Sequence, residues 1–291
     1  HGSQILLQYL FLGLAAQKAG KPFIIWGATI GNLDNGGRLK RIAMDHFRKC
    51  DLILVRDEDS AAYLRQNGIE HNVRLIADPA FLLEPSEPHI PLPNREPLEE
   101  TIGLNLSSSY GQQGGLGTYR DMIKLGADCV EKIIQETGRP VLLVPHIVAF
   151  PENMPGNDTV FLSLIRENLA QRGLDVPLLP SSLRSWELKW VLGRLHAYVG
   201  SRMHSLIGAM GSATPSVSIG FSEKYPALNS LLLGHRRFYL SCRELTAQSC
   251  AEKLMELLSE RDAVREQLRL RIPEIKAMSH KAGEHLWETL R

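Results

Sequence analysis

The segment Ala197-Tyr198-Val199-Gly200-Ser201-Arg202-Met203-His204-Ser205-Leu206-Ile207-Gly208-Ala209-Met210 runs from an apolar strand through a Gly-Ser turn into a helix. Arg202, His204 and Ser205 fall at the start of that helix, where unpaired backbone N–H groups and the helix dipole favour an anion. Arg202 adds a fork of donors suited to carboxylate or phosphate, and His204 exchanges a proton near neutral pH. An isolated Arg-x-His is more often structural, the arginine pairing with an acid and the histidine capping a loop. Here the strand-to-helix setting, with Lys224 following the next strand (216–219), shifts the balance toward an anionic ligand.

Outward from this segment the same rhythm repeats. Strand 102–106 leads through a Ser/Gly stretch (107–117) to helix 119–137. Strand 141–144 then runs into Pro145-His146, followed by helix 159–172, a short segment at 178–179 and helix 185–194. The N-terminal part reads as helix 5–16, strand 23–27, loop 28–35, helix 37–47, strand 51–55, helix 60–66, an Asn67-Gly68 turn and strand 73–76. Continuously apolar strands alternating with helices mark a parallel sheet covered on both faces. Between the two series, Pro85, Pro88, Pro91, Pro93 and Pro97 rule out helix or central strand and predict a stiff linker. The tail 246–291 is amphipathic helix with a kink expected at Pro273. The expected organisation is two Rossmann-like α/β domains, 1–84 and 101–271, joined by a linker at 85–100 and closed by a C-terminal helix at 272–291. This is a GT-B-like arrangement, with ligands in an interdomain cleft at the carboxyl ends of the strands.

Composition narrows the function. The 291 residues carry 33 Lys+Arg against 32 Asp+Glu, a net charge of +1, which argues against nucleic acid as partner. With 44% hydrophobic and 22% charged residues the chain is an ordinary folded protein rather than a disordered one. Cys50, Cys129, Cys242 and Cys250 form no C-x-x-C pair, so neither a zinc knuckle nor a disulfide framework is indicated, and a reducing compartment is expected. Residues 5–16 are too short to span a bilayer, contain Gln8 and have their lysines after them; a buried helix is the expectation.

Several other positions are candidates for a cleft. Ser107 opens the stretch 107–117, whose glycines and serines suit a phosphate cradle or a surface loop equally; no Gly-Lys-Ser/Thr follows. In Arg56-Asp57-x-x-Ser60 a capping and ion-pair role is favoured over a functional one. Asp78, at another strand end, is either a turn residue or a carboxylate facing the cleft. His146 is a second candidate acid or base. No His/Asp/Glu cluster has metal-ligand spacing, so no metal is expected.

The ordered set Gly20-Lys21-Pro22, Gly27-x-x-Ile30-Gly31, Val55-Arg56-Asp57-x-x-Ser60, Ala77-Asp78-Pro79-Ala80-Phe81 and Gly200-x-Arg202-Met203-His204-Ser205, running on to Ala213-Thr214-Pro215 and Lys224, resembles the polysaccharide pyruvyl transferase family. The resemblance implies a GT-B-like fold and transfer of the pyruvyl group of phosphoenolpyruvate onto two hydroxyls of a saccharide as a cyclic ketal, in exopolysaccharide or cell-wall polysaccharide biosynthesis, with no cofactor beyond that donor. It also implies an additional βα unit ahead of the first helix, which the N-terminal domain read from this sequence is expected to lack. The family's Arg-x-His is associated with donor binding, which assigns that role to Arg202 and His204; Ser205 and Lys224 complete the candidate donor-binding set, and His204 is the candidate catalytic residue. The expected partners are phosphoenolpyruvate and a saccharide or lipid-linked saccharide, in the cytoplasm or peripheral to the inner face of a membrane. Two alternatives stay open: a glycosyltransferase using a nucleotide sugar, for which no clear ribose-binding Glu follows Ile219 but which Glu223 keeps open, and a non-catalytic saccharide-binding protein.

Overall fold

The computed structural model describes residues 2–31, 33–148 and 156–291. Its contacts divide the chain into two units, 1–82 with 274–291, and 83–273. The first unit contains α1 (Gly2–Lys18), β1 (Ile24–Ala28), α2 (Arg38–Phe47), β2 (Leu52–Val55), α3 (Glu58–Gln66) and β3 (Val73–Leu75). The strands form a parallel sheet in the order β1-β2-β3, with Ile24 opposite Leu52 and Ile53 opposite Val73. Ile53 and Val55 join Ala43, Met44, Phe47 and Leu64 in the core on one side of β2, while Leu52 and Leu54 pack with Ile76 and Ala282 on the other. The period of two along β2 thus feeds two faces, which is why the strand is apolar throughout. Gly27 has a φ of +61° and lies where the β1 register slips, so the tight turn expected at 27–31 begins inside the strand.

The expectation of a buried first helix is corrected. Leu10 and Gly13 are buried, and a Cβ on Gly13 would lie 2.2 Å from the His46 ring, so α1 and α2 touch along one stripe. Tyr9, Phe11 and Leu12, by contrast, are 64%, 71% and 64% exposed. One neighbouring helix covers one stripe, and α1 is apolar on more than that. Among the described residues no helix is long and apolar enough to cross a membrane.

The second unit opens with the proline-rich segment and then runs β4 (Ile102–Asn105), α4 (Ser109–Gly114), α5 (Tyr119–Thr137), β5 (Val141–Leu143), α6 (Asp158–Gln171), α7 (Ser185–Leu192), β6 (Ala197–Gly200), α8 (Met203–Met210), β7 (Ser216–Gly220), α9 (Lys224–Leu233), β8 (Tyr239–Ser241), α10 (Ala247–Ser259) and α11 (Arg261–Leu290). Its five parallel strands lie in the order β5-β4-β6-β7-β8. From β4 the chain goes first to one side and later to the other, so the direction of winding reverses between β4 and β6. Crevices for ligands form at such a switch point, outside the carboxyl ends of the strands. Those ends are Asn105 and Gly200, direct register partners. The stretch read as an open Ser/Gly loop at 107–117 instead contains α4, because the ring of Tyr110 is buried beneath the sheet end. Pro273 lies inside α11, whose first part belongs to the second unit and whose last part, from Glu274, to the first.

Candidate active site at the carboxyl ends of β4, β5 and β6

The turn after β6 is held from several directions. The hydroxyls of Tyr110 and Tyr225 lie 2.7 and 2.9 Å from the carbonyl oxygen of Ser201, and the Ser201 hydroxyl donates to Asn105 Oδ1 at 2.9 Å. Burial raises the pKa of both tyrosines, so they stay protonated and can donate. With Ser201 fixed, Arg202 becomes the N-cap of α8 in an extended conformation and makes no side-chain cap. The guanidinium turns instead to Asp158, the first residue of α6. Arg202 Nη2 lies 2.5 Å from Asp158 Oδ1, Nε lies 3.1 and 3.2 Å from the two carboxylate oxygens, and Nη2 also donates to the carbonyl of Gly156 at 2.8 Å.

Asp158 was not singled out in the sequence, where it reads as one polar residue at a helix start. It is 1% exposed. Besides Arg202, its Oδ2 accepts from the backbone N–H of His146 at 3.1 Å, the N–H of Ile147 at 3.0 Å and Asn105 Nδ2 at 3.0 Å. Asn105 Nδ2 in turn donates to the Val144 carbonyl at 2.8 Å. One buried carboxylate therefore ties together the end of β4, the chain leaving β5 and the arginine after β6. Its charge is matched by Arg202 and its lone pairs are filled, as a buried ion requires.

His146 and His204 are brought together, their ring centroids 6.4 Å apart and their planes 28° from parallel. His204 is exposed, on the first turn of α8. His146 is pushed down to about 4 chiefly by burial, with Asp158 opposing and His204 and Arg202 adding to the fall. It is thus neutral at physiological pH, and its buried Nδ1 has no hydrogen-bond partner among the described residues. Lys224 begins α9, its Nζ 5.4 Å from the centre of the Tyr225 ring. Ser205 is placed differently from its expected role. Its hydroxyl is buried, accepts from Tyr198 at 2.8 Å and donates to the Arg202 carbonyl at 2.8 Å, so it braces the turn rather than facing a ligand. Ser107 is likewise buried, its hydroxyl 2.7 Å from that of Ser109. Glu223 is exposed and pairs with Arg236 at 3.4 Å.

The remaining candidates lie in the first unit. Arg56 forms an ion pair with Asp78 and donates from Nε to Thr29 Oγ1 at 2.9 Å. Asp57 caps α3 by accepting from the Ser60 N–H at 2.8 Å, and Asp78 also accepts from the Ala80 N–H at 2.9 Å, the geometry of a turn residue. Among the described residues no group of three or more His, Cys, Asp or Glu is arranged to hold a metal.

Solved structures with the same GT-B-like fold include glycosyltransferases and a putative UDP-N-acetylglucosamine 2-epimerase from Listeria monocytogenes (TM-score 0.60, 10% identity, 92% of this chain and 68% of that one). The chain is similar to the α,α-trehalose 6-phosphate synthase of Burkholderia multivorans (TM-score 0.60, 11% identity, 97% of this chain and 69% of that one). It is also similar to UGT2 of Phytolacca americana (0.55, 14%, 97% and 74%) and to TarM of S. aureus (0.52, 15%, 92% and 50%), the last solved with UDP. At these identities the likeness establishes the two-unit α/β fold alone, and the chain spans half to three-quarters of those proteins. No curated protein matches the sequence. The family is given by sequence: the model for polysaccharide pyruvyl transferases matches residues 1–223, and the chain belongs to that family.

Proposed function

We propose that this protein moves the pyruvyl group of phosphoenolpyruvate onto two hydroxyls of a saccharide, forming a cyclic ketal and releasing phosphate. The observation that carries the reading is the placement of Arg202 and His204 on one helix start, at the switch point of the second unit's sheet, in a chain of this family. The donor bears a carboxylate and a phosphate on one carbon. The guanidinium of Arg202, the amides of α8 and Lys224 supply the cationic and N–H contacts such a molecule needs.

In the reaction two C–O bonds form between the donor's central carbon and the saccharide oxygens, and the bond from that carbon to the phosphate oxygen breaks. Of the two hydroxyl protons displaced, one is matched by the proton gained at the methylene, which becomes a methyl, and the other by that on the departing phosphate. His204, exposed at the site, is the candidate donor to the methylene. His146, neutral and stacked beside it, is the candidate acceptor of a hydroxyl proton. Ser205 serves by bracing the turn, and Arg56, Asp57 and Asp78 serve the first unit's structure.

A donor made in the cytoplasm supports a cytoplasmic location for the protein. The exposed Tyr9, Phe11 and Leu12 of α1 support peripheral contact with a membrane presenting lipid-linked acceptors. Incubating the chain with phosphoenolpyruvate and a panel of oligosaccharides, and following phosphate release together with ketal formation by mass, tests the reading. His204→Ala is expected to abolish turnover with the fold intact; retention of most activity would remove His204 from its role.

A further inference from the structure

Arg202 directs its Nε and Nη2 donors at Asp158 and the Gly156 carbonyl, and Asp158 is itself held by three donors from two other strand ends. We propose that Asp158 is a positioning residue for anion binding: it fixes the direction in which Arg202 presents its guanidinium, and does so in register with the His146 strand end. The inference rests on the reading that this site takes an anionic donor.

The two oxygens of Asp158 divide the work. Oδ2 receives the N–H groups of His146 and Ile147, the amide of Asn105 and only the longer contact of Arg202 Nε, while Oδ1 receives the shorter contacts from Arg202 Nη2 and Nε. Asn105 carries the same link on to the Ser201 hydroxyl, and Ser201 to the two tyrosine hydroxyls. A displacement of the carboxylate is therefore felt at the arginine first and at the β6 turn next. The direct electrostatic effect of Asp158 on an incoming anion is repulsive, so its charge and its positioning role act with opposite sign on affinity. This opposition makes the role measurable.

Asp158→Asn separates the two functions. The amide oxygen is drawn to the side where three donors converge, which keeps the backbone at 146 and 147 satisfied, and the amide NH2 then faces the guanidinium and turns it away. Calorimetric titration of the full chain with inorganic phosphate, and separately with phosphoenolpyruvate, is the test. Positioning predicts that Asp158→Asn weakens both by about tenfold or more, the scale of a hydrogen bond to a charged group. It further predicts no added loss from Asp158→Asn in an Arg202→Ala background, because the effect passes through Arg202. Unchanged or tighter binding in Asp158→Asn would overturn the proposal.

If Asp158→Asn does not fold, Arg202→Lys decides: it keeps the charge but not the fork. A loss of phosphate affinity close to that of Arg202→Ala supports the proposal, and wild-type affinity overturns it. A wild type that binds neither probe overturns it together with the donor reading. Phosphate binding that follows the predicted pattern, with phosphoenolpyruvate no tighter than phosphate, leaves Asp158 in its role and removes phosphoenolpyruvate as the donor.

Discussion

The rings of His146 and His204 are stacked with their centroids 6.4 Å apart, one half-buried and the other exposed. Two imidazoles this close do not both carry charge without cost, and burial together with the neighbouring Arg202 assigns the neutral form to His146. The pair thus brings a neutral, half-buried imidazole and an exposed one together from the ends of two strands, β5 and β6.

Stability in acid follows from the same pair. The folded-state value of His146 is about 4 against an unfolded value of 6.5, so above 6.5 both states are neutral there. As pH falls from 6.5 toward 4 the unfolded chain takes up a proton that the folded chain refuses, and stability is lost through that window, levelling off below it. His196, also lowered to about 4 chiefly by burial, acts in the same range. Urea midpoints measured at about pH 7.5 and pH 5 are expected to fall less in His146→Gln than in the wild type; an equal fall in both would contradict the assignment.

Ala213 is the sole described non-glycine residue with positive φ, at +62°. It ends α8 in a Schellman motif, with Thr214 N–H bonded to the Ala209 carbonyl and Ala213 N–H to that of Met210. An L side chain is strained there, and Ala213→Gly is expected to raise stability by about 1 kcal/mol in chemical denaturation. A loss of stability would mean that the motif is not kept in solution.

Gly220 closes β7 where a Cβ would lie 2.2 Å from the ring of Tyr225. That ring carries the hydroxyl that holds the Ser201 carbonyl. Gly220→Ala is expected to cost about 2 kcal/mol by overpacking and to weaken phosphate binding as the turn shifts. Unchanged stability and affinity in denaturation and titration would show that Tyr225 is free to move.

What the sequence made legible follows from how local each feature is. The apolar strands, their alternation with helices and the placing of Arg202 at a helix start all depend on neighbours along the chain, and these agree with the structure. Asp158 does not: at 158 the sequence shows only an Asn-Asp pair ahead of an apolar helix, and its side-chain partners lie 44 residues away at Arg202 and 53 away at Asn105, with backbone partners at His146 and Ile147 12 and 11 away. The commoner fate of an isolated arginine, pairing with an acid, is realised here, with the acid inside the same unit. α4 was hidden by its glycines, which favour loops, and held helical by the burial of Tyr110. α9 was hidden by Pro226, which a first helical turn tolerates, and β8 by its three-residue length.

Arg56 and Asp57 are structural in this account. Arg56→Ala removes the ion pair to Asp78, whose side chain is 8% exposed, and is expected to cost about 2 kcal/mol. Asp57→Ala removes the α3 cap at about 1 kcal/mol. Denaturation is expected to register both losses, while phosphate affinity at a temperature where the variants are folded stays at the wild-type value; a tenfold loss of affinity in either would make it part of the site.

The central claim is that Arg202 and His204 form the binding site of phosphoenolpyruvate. Its most direct test is thermal unfolding of wild type and Arg202→Ala with phosphoenolpyruvate and, separately, with UDP and UDP-sugars. A ligand at about 100 times its dissociation constant adds roughly 2.7 kcal/mol, a rise of several degrees. The account predicts that rise with phosphoenolpyruvate in the wild type and none in Arg202→Ala. Stabilisation by UDP or a UDP-sugar alone, with phosphoenolpyruvate silent, would contradict it and make the protein a glycosyltransferase in function as well as in fold.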